Sequence, residues 1–285
     1  MANMRIIHTN VIDGAANLAS SPACATGMPV GNIQLARRGS FARETSSTSW
    51  TISGEYSGAV SAMCIVGHNL TGSATVRLRL YSDYAKTTTV YDSTALPVWT
   101  PQVWGDPAAS PNGGLEWGVL PWLATGILSG TPEYFPVWFT SVANGVAFTI
   151  DIVDTNNVDG YLQIGRVYLG EYWSPTVNDA YGLSMWWKEA SKQVRTDGGS
   201  LRTEGYYPYR AYSCSFDAMD ETDRGNFMEI IRKLGLRLDF FISFNPGAGG
   251  DIERDYMAAC KFVTIPEMKH PAWGRFEAGV TMEEI

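Results

Sequence analysis

The chain has 285 residues, enough for one large β domain or two smaller ones, and either size buries sufficient apolar surface to fold without metal or disulfide staples. Hydrophobic residues make up 45% and charged residues only 18%, so the expected product is globular with a polar rather than strongly charged surface. A net charge of −8 runs against phosphate-driven nucleic-acid binding, which needs an excess of Lys and Arg on one face.

The N-terminal MANMRIIHTNVIDGA has one Arg and no long apolar stretch, so no secretory signal is expected. No run approaches the roughly 18 apolar residues of a membrane helix, so folding in a cytoplasm without membrane insertion is expected. Cys24, Cys64, Cys214 and Cys260 form no CxxC motif; Cys64 and Cys214 fall in apolar runs and are expected to be reduced core residues.

Strand signals come first. Ala59–Val66 is nearly continuously apolar, the pattern of a strand in the middle of a sandwich. Ala74–Leu80 alternates, with Val76, Leu78 and Leu80 on one side and Thr75, Arg77 and Arg79 on the other. Phe148–Ile152 repeats the pattern, with Phe148, Ile150 and Ile152 inward and Thr149 and Asp151 outward. The turn residues of DTNNVDG precede YLQIGRVYLG, read as one further strand. Between these, Leu96–Pro136 holds seven prolines and is expected to be an ordered insertion without long interior strands.

Beyond Tyr172 the pattern changes. Trp186–Arg195 and Leu201–Tyr209 flank TDGGS, a hairpin signal. In Arg210–Phe216 the alternation puts Tyr212, Cys214 and Phe216 on one face. One helix is predicted, capped by Asp220, with Asp223 in its first turn and an apolar stripe of Phe227, Ile230, Ile231 and Leu234 before Gly235. Strands are predicted over Leu236–Phe244 and Ala258–Ile265. The predicted class is mainly β: a jelly-roll-like β-sandwich over 1–175, with its Trp/Pro-rich insertion at about 96–136, then a smaller α+β segment with one clear helix over 176–285.

Two resemblances attach to these features. Asn17-Leu18-Ala19, the strand and turn IVGHNL, ATVRLRL and the closing YLQIGRVYLGEYWSP resemble a galactose-binding-like, discoidin-type sandwich of the kind found in phage virion proteins. From residue 180, the order SKQVRTDGGSLR, YRAYSCSF, a short amphipathic helix, LRLDFFISF and a tail GRFEAGVTMEEI is similar to distal tail or baseplate proteins of tailed bacteriophages. That second resemblance implies a virion structural protein, a ring or collar at the tail tip joining the tail tube to receptor-binding components. It also implies assembly with itself, a hexamer being favoured over a trimer, and with tube, tape-measure, hub and receptor-binding proteins. Host-surface glycan is the alternative partner, bound by the sandwich as a carbohydrate-binding module or adhesin.

The chemistry-bearing residues are sparse. His8, His68 and His270 are the only histidines, and HExxH, GxSxG, P-loop and helix-opening GxGxxG motifs are absent. No catalytic group, metal or cofactor is therefore expected. His68 is expected to bond nearby turn backbone, and His270 to sit in an extended linker. The carboxylates Asp151, Asp154 and Asp159, or Glu116 and Glu133, are read as turn residues rather than a glycosidase pair, and Asp154–Gly160 as a turn rather than a calcium loop. The basic cluster Arg37, Arg38 and Arg43 is read as solvated or salt-bridging. The interface or glycan candidates are Trp99, Trp104, Trp117, Trp122 and Trp138, half of the ten tryptophans within forty residues, with Trp186 and Trp187 beyond them. The five fill a satellite core, meet a protein partner or stack on sugar. Being adjacent, Trp186 and Trp187 point to opposite faces of a strand, and one of them is expected to be covered.

Overall fold

A computed structural model of the chain describes residues 2–45, 48–98, 134–248 and 250–285. The fold is mainly β, built of antiparallel sheets as a β-sandwich, with one long helix in the C-terminal half. Two compact units are present. One comprises Thr9–Tyr172 with Ser243–Met257; the other comprises Asn3–His8, Trp173–Ile242 and Ala258–Ile285. Two short segments thus cross the sequence-based division at residue 175.

In the first unit the sheet runs in the order Val167–Gly170, Ser49–Val66, Tyr134–Val153, Thr75–Tyr81, Thr89–Asp92. Ala16–Ser21, which carries Asn17-Leu18-Ala19, pairs with Ser49–Val66, and Leu96–Pro97 with Thr75–Tyr81. Register shifts between Glu55 and Gly58, and between Val60 and Ala62, interrupt the central pair. Such bulges bend a strand, and Gly58 takes φ +131 there, a conformation that excludes side chains. Both halves of the bent pair feed one core, which includes Trp50, Ile52, Val60, Ile65, Val137, Phe148 and Ile150. Val76, Leu78 and Leu80 join it as the alternation requires, each stabilising by about 2 kcal/mol. On the wet face Arg77 meets Asp92 at 2.5 Å and Arg79 meets Asp151 at 2.5 Å. Thr149 departs from expectation: it is buried, with its hydroxyl 3.1 Å from the Tyr81 hydroxyl.

Two further readings need correction here. Pro136, read as the end of the ordered insertion, instead lies with Trp138 near the start of the long strand Tyr134–Val153. Proline is tolerated because, among the described residues, Tyr134–Trp138 pairs only with Ser49–Val66, whereas Thr75–Tyr81 joins the strand from Ala147 onward. The run YLQIGRVYLG forms two strands, Gln163–Ile164 and Val167–Gly170. The break falls at Gly165, where a Cβ would meet the Val66 carbonyl at 2.7 Å, and at Arg166, which turns to Asp13.

The second unit is organised by an eight-stranded sheet in the order Tyr172–Trp173, Arg5–Ile7, Phe240–Ser243, Met257–Phe262, Arg275–Glu284, Tyr209–Met219, Ser184–Lys188, with Glu267–Ala272 also paired to Arg275–Glu284. GRFEAGVTMEEI is therefore an interior strand, not a tail. The helix Glu221–Leu234 starts where Asp220 accepts from the Asp223 amide at 2.7 Å and ends at Gly235, φ +52. Phe227, Ile230 and Leu234 are buried, and Phe227 packs on Trp173 and Phe216 with ring centres at 5.6 and 5.4 Å. The strand predicted over Leu236–Phe244 shrinks to Phe240–Ser243, because the Leu238 amide still bonds the Leu234 carbonyl and leaves Leu236 and Leu238 exposed. His270 lies in the strand Glu267–Ala272 and stacks on Phe276 at 4.5 Å, rather than in a linker.

TDGGS does close a hairpin, Lys192–Arg195 against Leu201–Glu204. It is the distal half of a longer hairpin whose proximal half, Ser184–Lys188 against Tyr209–Ser213, belongs to the sheet. At the joint Ser191 Oγ accepts from the Tyr206 amide at 2.8 Å. All eight residues of the distal strands are exposed.

Candidate functional site

A connected polar constellation lies where three loops of the first unit meet: Gly67–Ser73, Asp154–Gln163 and the segment ending at Arg43. The strand Ala42–Arg43 pairs with Gln163–Ile164, which sets Arg43 opposite Gln163. Its guanidinium donates from Nε at 2.9 Å and from Nη2 at 2.5 Å to Gln163 Oε1, and stacks 4.0 Å over the Tyr161 ring. Asn69 ties the loops together. Its Nδ2 donates to Asp159 Oδ2 at 3.0 Å and the Tyr161 carbonyl at 2.9 Å, while its Oδ1 accepts from the Gln163 amide at 2.8 Å. Asp159 is exposed, and Tyr161 and Arg43 are half-buried.

Beneath this platform Asp154 is fully buried and accepts from the Thr71 amide at 2.8 Å, the Thr71 hydroxyl at 2.6 Å and Asn157 Nδ2 at 3.3 Å. These bonds close the turn and consume the carboxylate. Among the described residues no group of three or more His, Cys, Asp or Glu is arranged to hold a metal ion. Asp151 is likewise engaged, by the Thr51 hydroxyl and Arg79.

His68 bonds turn backbone as expected: its Nδ1 accepts from the Leu70 amide at 3.3 Å, while Nε2 is buried with no hydrogen-bond partner among the described residues. Burial lowers its pKa to about 4, against an opposing pull from Asp154. The unfolded chain takes up a proton below the ordinary value of 6.5 that the folded chain refuses until about 4. Stability is therefore predicted to fall as pH drops through that window, by about 2–3 kcal/mol from this residue. Urea titrations of wild type and His68→Gln at pH 7, 5.5 and 4 test it: the gap between the two must shift in favour of the variant as pH falls. His8, also lowered to about 4, first by burial and then by Lys233, gives a parallel contribution that the comparison cancels.

The sequence candidates disperse. Trp99, Trp104, Trp117 and Trp122, with Glu116 and Glu133, lie outside the described residues. Trp138 is half-buried and packs edge-on against Tyr172, ring centres 5.5 Å apart. In the second unit Trp186 is half-buried, with Lys188 Nζ 5.8 Å from its ring, whereas Trp187 on the other face is 62% exposed. Cys64, Cys214 and Cys260 are free and buried, and burial pushes all three thiols up, Cys214 to about 12. Of the basic cluster, Arg43 meets an amide and a ring rather than a carboxylate. Asn69 was noted in the sequence only within IVGHNL and as the start of a chance glycosylation sequon, and Tyr161 and Gln163 only within YLQIGRVYLG; none of the three was assigned a binding role.

No family model and no curated protein matches the chain. Solved structures match part of it. Chitosan-binding module 1 from a chitosanase/glucanase of Paenibacillus sp. IK-5 aligns at 10% identity over 57% of this chain and 100% of that one, TM-score 0.37. A mutant lectin binding domain of lectinolysin, complexed with Lewis b, aligns at 12% over 56% and 95%, TM-score 0.35. The family 32 carbohydrate-binding module of C. perfringens NanJ, in complex with galactose, aligns at 12% over 60% and 99%, TM-score 0.34.

Proposed function

We propose that the chain is a non-catalytic carbohydrate-binding protein whose first unit takes a glycan on the loop platform of Arg43, Asn69, Asp159, Tyr161 and Gln163. The observation that carries this reading is the Arg43 guanidinium, fixed by Gln163 and stacked on Tyr161, beside an exposed carboxylate at Asp159. Neighbouring hydroxyls of a sugar need this mixture: a planar cation that donates twice, a carboxylate that accepts twice, and an aromatic surface for the C–H face. Side chains already locked by their neighbours lose little entropy on binding. The candidate carboxylates Asp151, Asp154 and Asp159 are each engaged by neighbouring side chains, which suits recognition better than bond cleavage.

A glycan array with the full chain, followed by calorimetry on the best ligand, tests the reading. Arg43→Ala and Tyr161→Ala are each predicted to lower affinity at least about tenfold, the loss of one good polar or stacking contact. Unchanged affinity in both variants, with loss in Trp104→Ala or Trp117→Ala, would move the site to the Trp-rich insertion; an empty array would end the proposal. The tail-tip ring or collar, expected from the order of features over 180–285, draws no support from the comparisons, so the glycan reading replaces it as the leading one.

A further inference from the structure

In the second unit the strand Ser184–Lys188 ends the eight-stranded sheet: Tyr209–Met219 pairs on one side, and no strand pairs on the other among the described residues. Natural edge strands are usually blunted by proline, inward charge or a covering element. Here the sequence is SMWWK, without proline, and its one charge, Lys188, is spent on Glu283 of its own chain at 2.5 Å. The register places Met185 beside Tyr212 and Trp187 beside Arg210 on the same face of the sheet. Tyr212 and Arg210 are buried, yet Met185 is 37% and Trp187 62% exposed. The core side of the sheet thus runs out from under its cover at this edge.

We propose that this edge pairs with the same edge of a second copy, antiparallel about Trp186, to form a two-fold dimer with one continuous sheet. The strand is self-complementary in that arrangement. Trp187 falls opposite Met185 of the other copy, so the two exposed apolar residues cover each other twice. Lys188 falls opposite Ser184, so no like charges meet, and like charges directly opposite would destabilise the pair. A two-fold contact uses one patch on both copies and closes the assembly at two chains. A five-residue edge with two large apolar anchors per copy makes a small interface, so dissociation in the micromolar range is expected. The inference is independent of the glycan reading, although two chains would double the glycan sites and add avidity.

Sedimentation velocity on the full chain, under reducing conditions and from low micromolar to several hundred micromolar, reads the equilibrium without any glycan. The expected result is a rise in mass from one chain to two. Ser184→Lys puts two lysines opposite each other at both ends of the pair and is predicted to raise the dissociation constant at least tenfold; Ser184→Glu, facing Lys188 of the other copy, is predicted to lower it or leave it unchanged. Trp187→Ser is predicted to abolish the dimer over the same range. Ser184 and Trp187 are exposed, so circular dichroism should be unaltered in all three. A monomer at every concentration, a larger closed assembly, or a dimer indifferent to Ser184→Lys and Trp187→Ser would each overturn the proposal.

Discussion

Replacing Glu284 by alanine is expected to destabilise the second unit by about 3–5 kcal/mol, the range for stripping one partner from a buried ion pair. Glu284 Oε1 accepts from Arg210 Nη2 at 2.7 Å, and Oε2 accepts from Nε at 3.2 Å and from the Arg210 backbone amide at 3.0 Å. Their side chains are only 4% and 11% exposed. Coulomb attraction between the two does not by itself explain the size of the effect, because desolvating both charges offsets much of it. The cost arises from what remains: a guanidinium with little access to water, and a backbone amide deprived of the carboxylate that accepted it. Glu284→Gln keeps the shape and one acceptor oxygen, so a smaller loss is expected. Arg210→Met with Glu284→Leu removes both charges together and should recover most of the stability. Thermal unfolding followed by near-ultraviolet circular dichroism gives the measurement. A fall in Tm of no more than a degree or two for Glu284→Ala would sink the argument, as would a double variant no better than the single one.

Local signals on this chain were readable wherever one face of an element is wet. Val76, Leu78 and Leu80 alternate with Arg77 and Arg79 because the arginines reach Asp92 and Asp151 in partly solvated pairs. Asp220, Phe227, Ile230, Leu234 and Gly235 announced the helix because cap, stripe and stop are all set within the one stretch Asp220–Gly235. What failed depended on partners remote in sequence. The charged end of the chain read as a tail, yet Glu283 is taken by Lys188 and Glu284 by Arg210. Trp138 was grouped with the tryptophans of the insertion because composition does not show that Ser49–Val66 extends far enough to pair with it. The candidate site suffered most. Arg43 drew notice only beside Arg37 and Arg38, whereas its stacking surface, Tyr161, arrives through the pairing of Ala42–Arg43 with Gln163–Ile164. Two-residue strands leave no periodicity to read.

That same dependence on remote pairing makes Asp154 the residue through which stability and recognition are expected to fall together. Its side chain joins two loops more than eighty residues apart, and it has no exposure to solvent. Asp154→Ala deprives the buried Thr71 amide of its acceptor and leaves the Thr71 hydroxyl with only Ser73 Oγ and Asn157 Nδ2 with only the Asn69 carbonyl, and a loss of about 2–4 kcal/mol is expected. Asp154→Asn is expected to cost less, about 1–2 kcal/mol. An amide oxygen can still take the Thr71 backbone N–H, and the Thr71 hydroxyl can turn to accept from the new NH₂. Asn157 already shares that oxygen with the Thr71 amide, so the weak point becomes the Thr71 hydroxyl, which must exchange its carboxylate acceptor for a donor. Consequences should reach the glycan platform, because Asn157 also donates to the Asn69 carbonyl at 3.0 Å, and Asn69 holds Asp159, Tyr161 and Gln163 in place. Calorimetry at a temperature where Asp154→Asn remains folded should show glycan affinity reduced with a less favourable entropy, since the platform must now be ordered during binding. Equal affinity in the variant would separate the turn from the platform. A urea midpoint for Asp154→Ala within the range of ordinary surface substitutions would mean that this buried carboxylate does not hold the loops together.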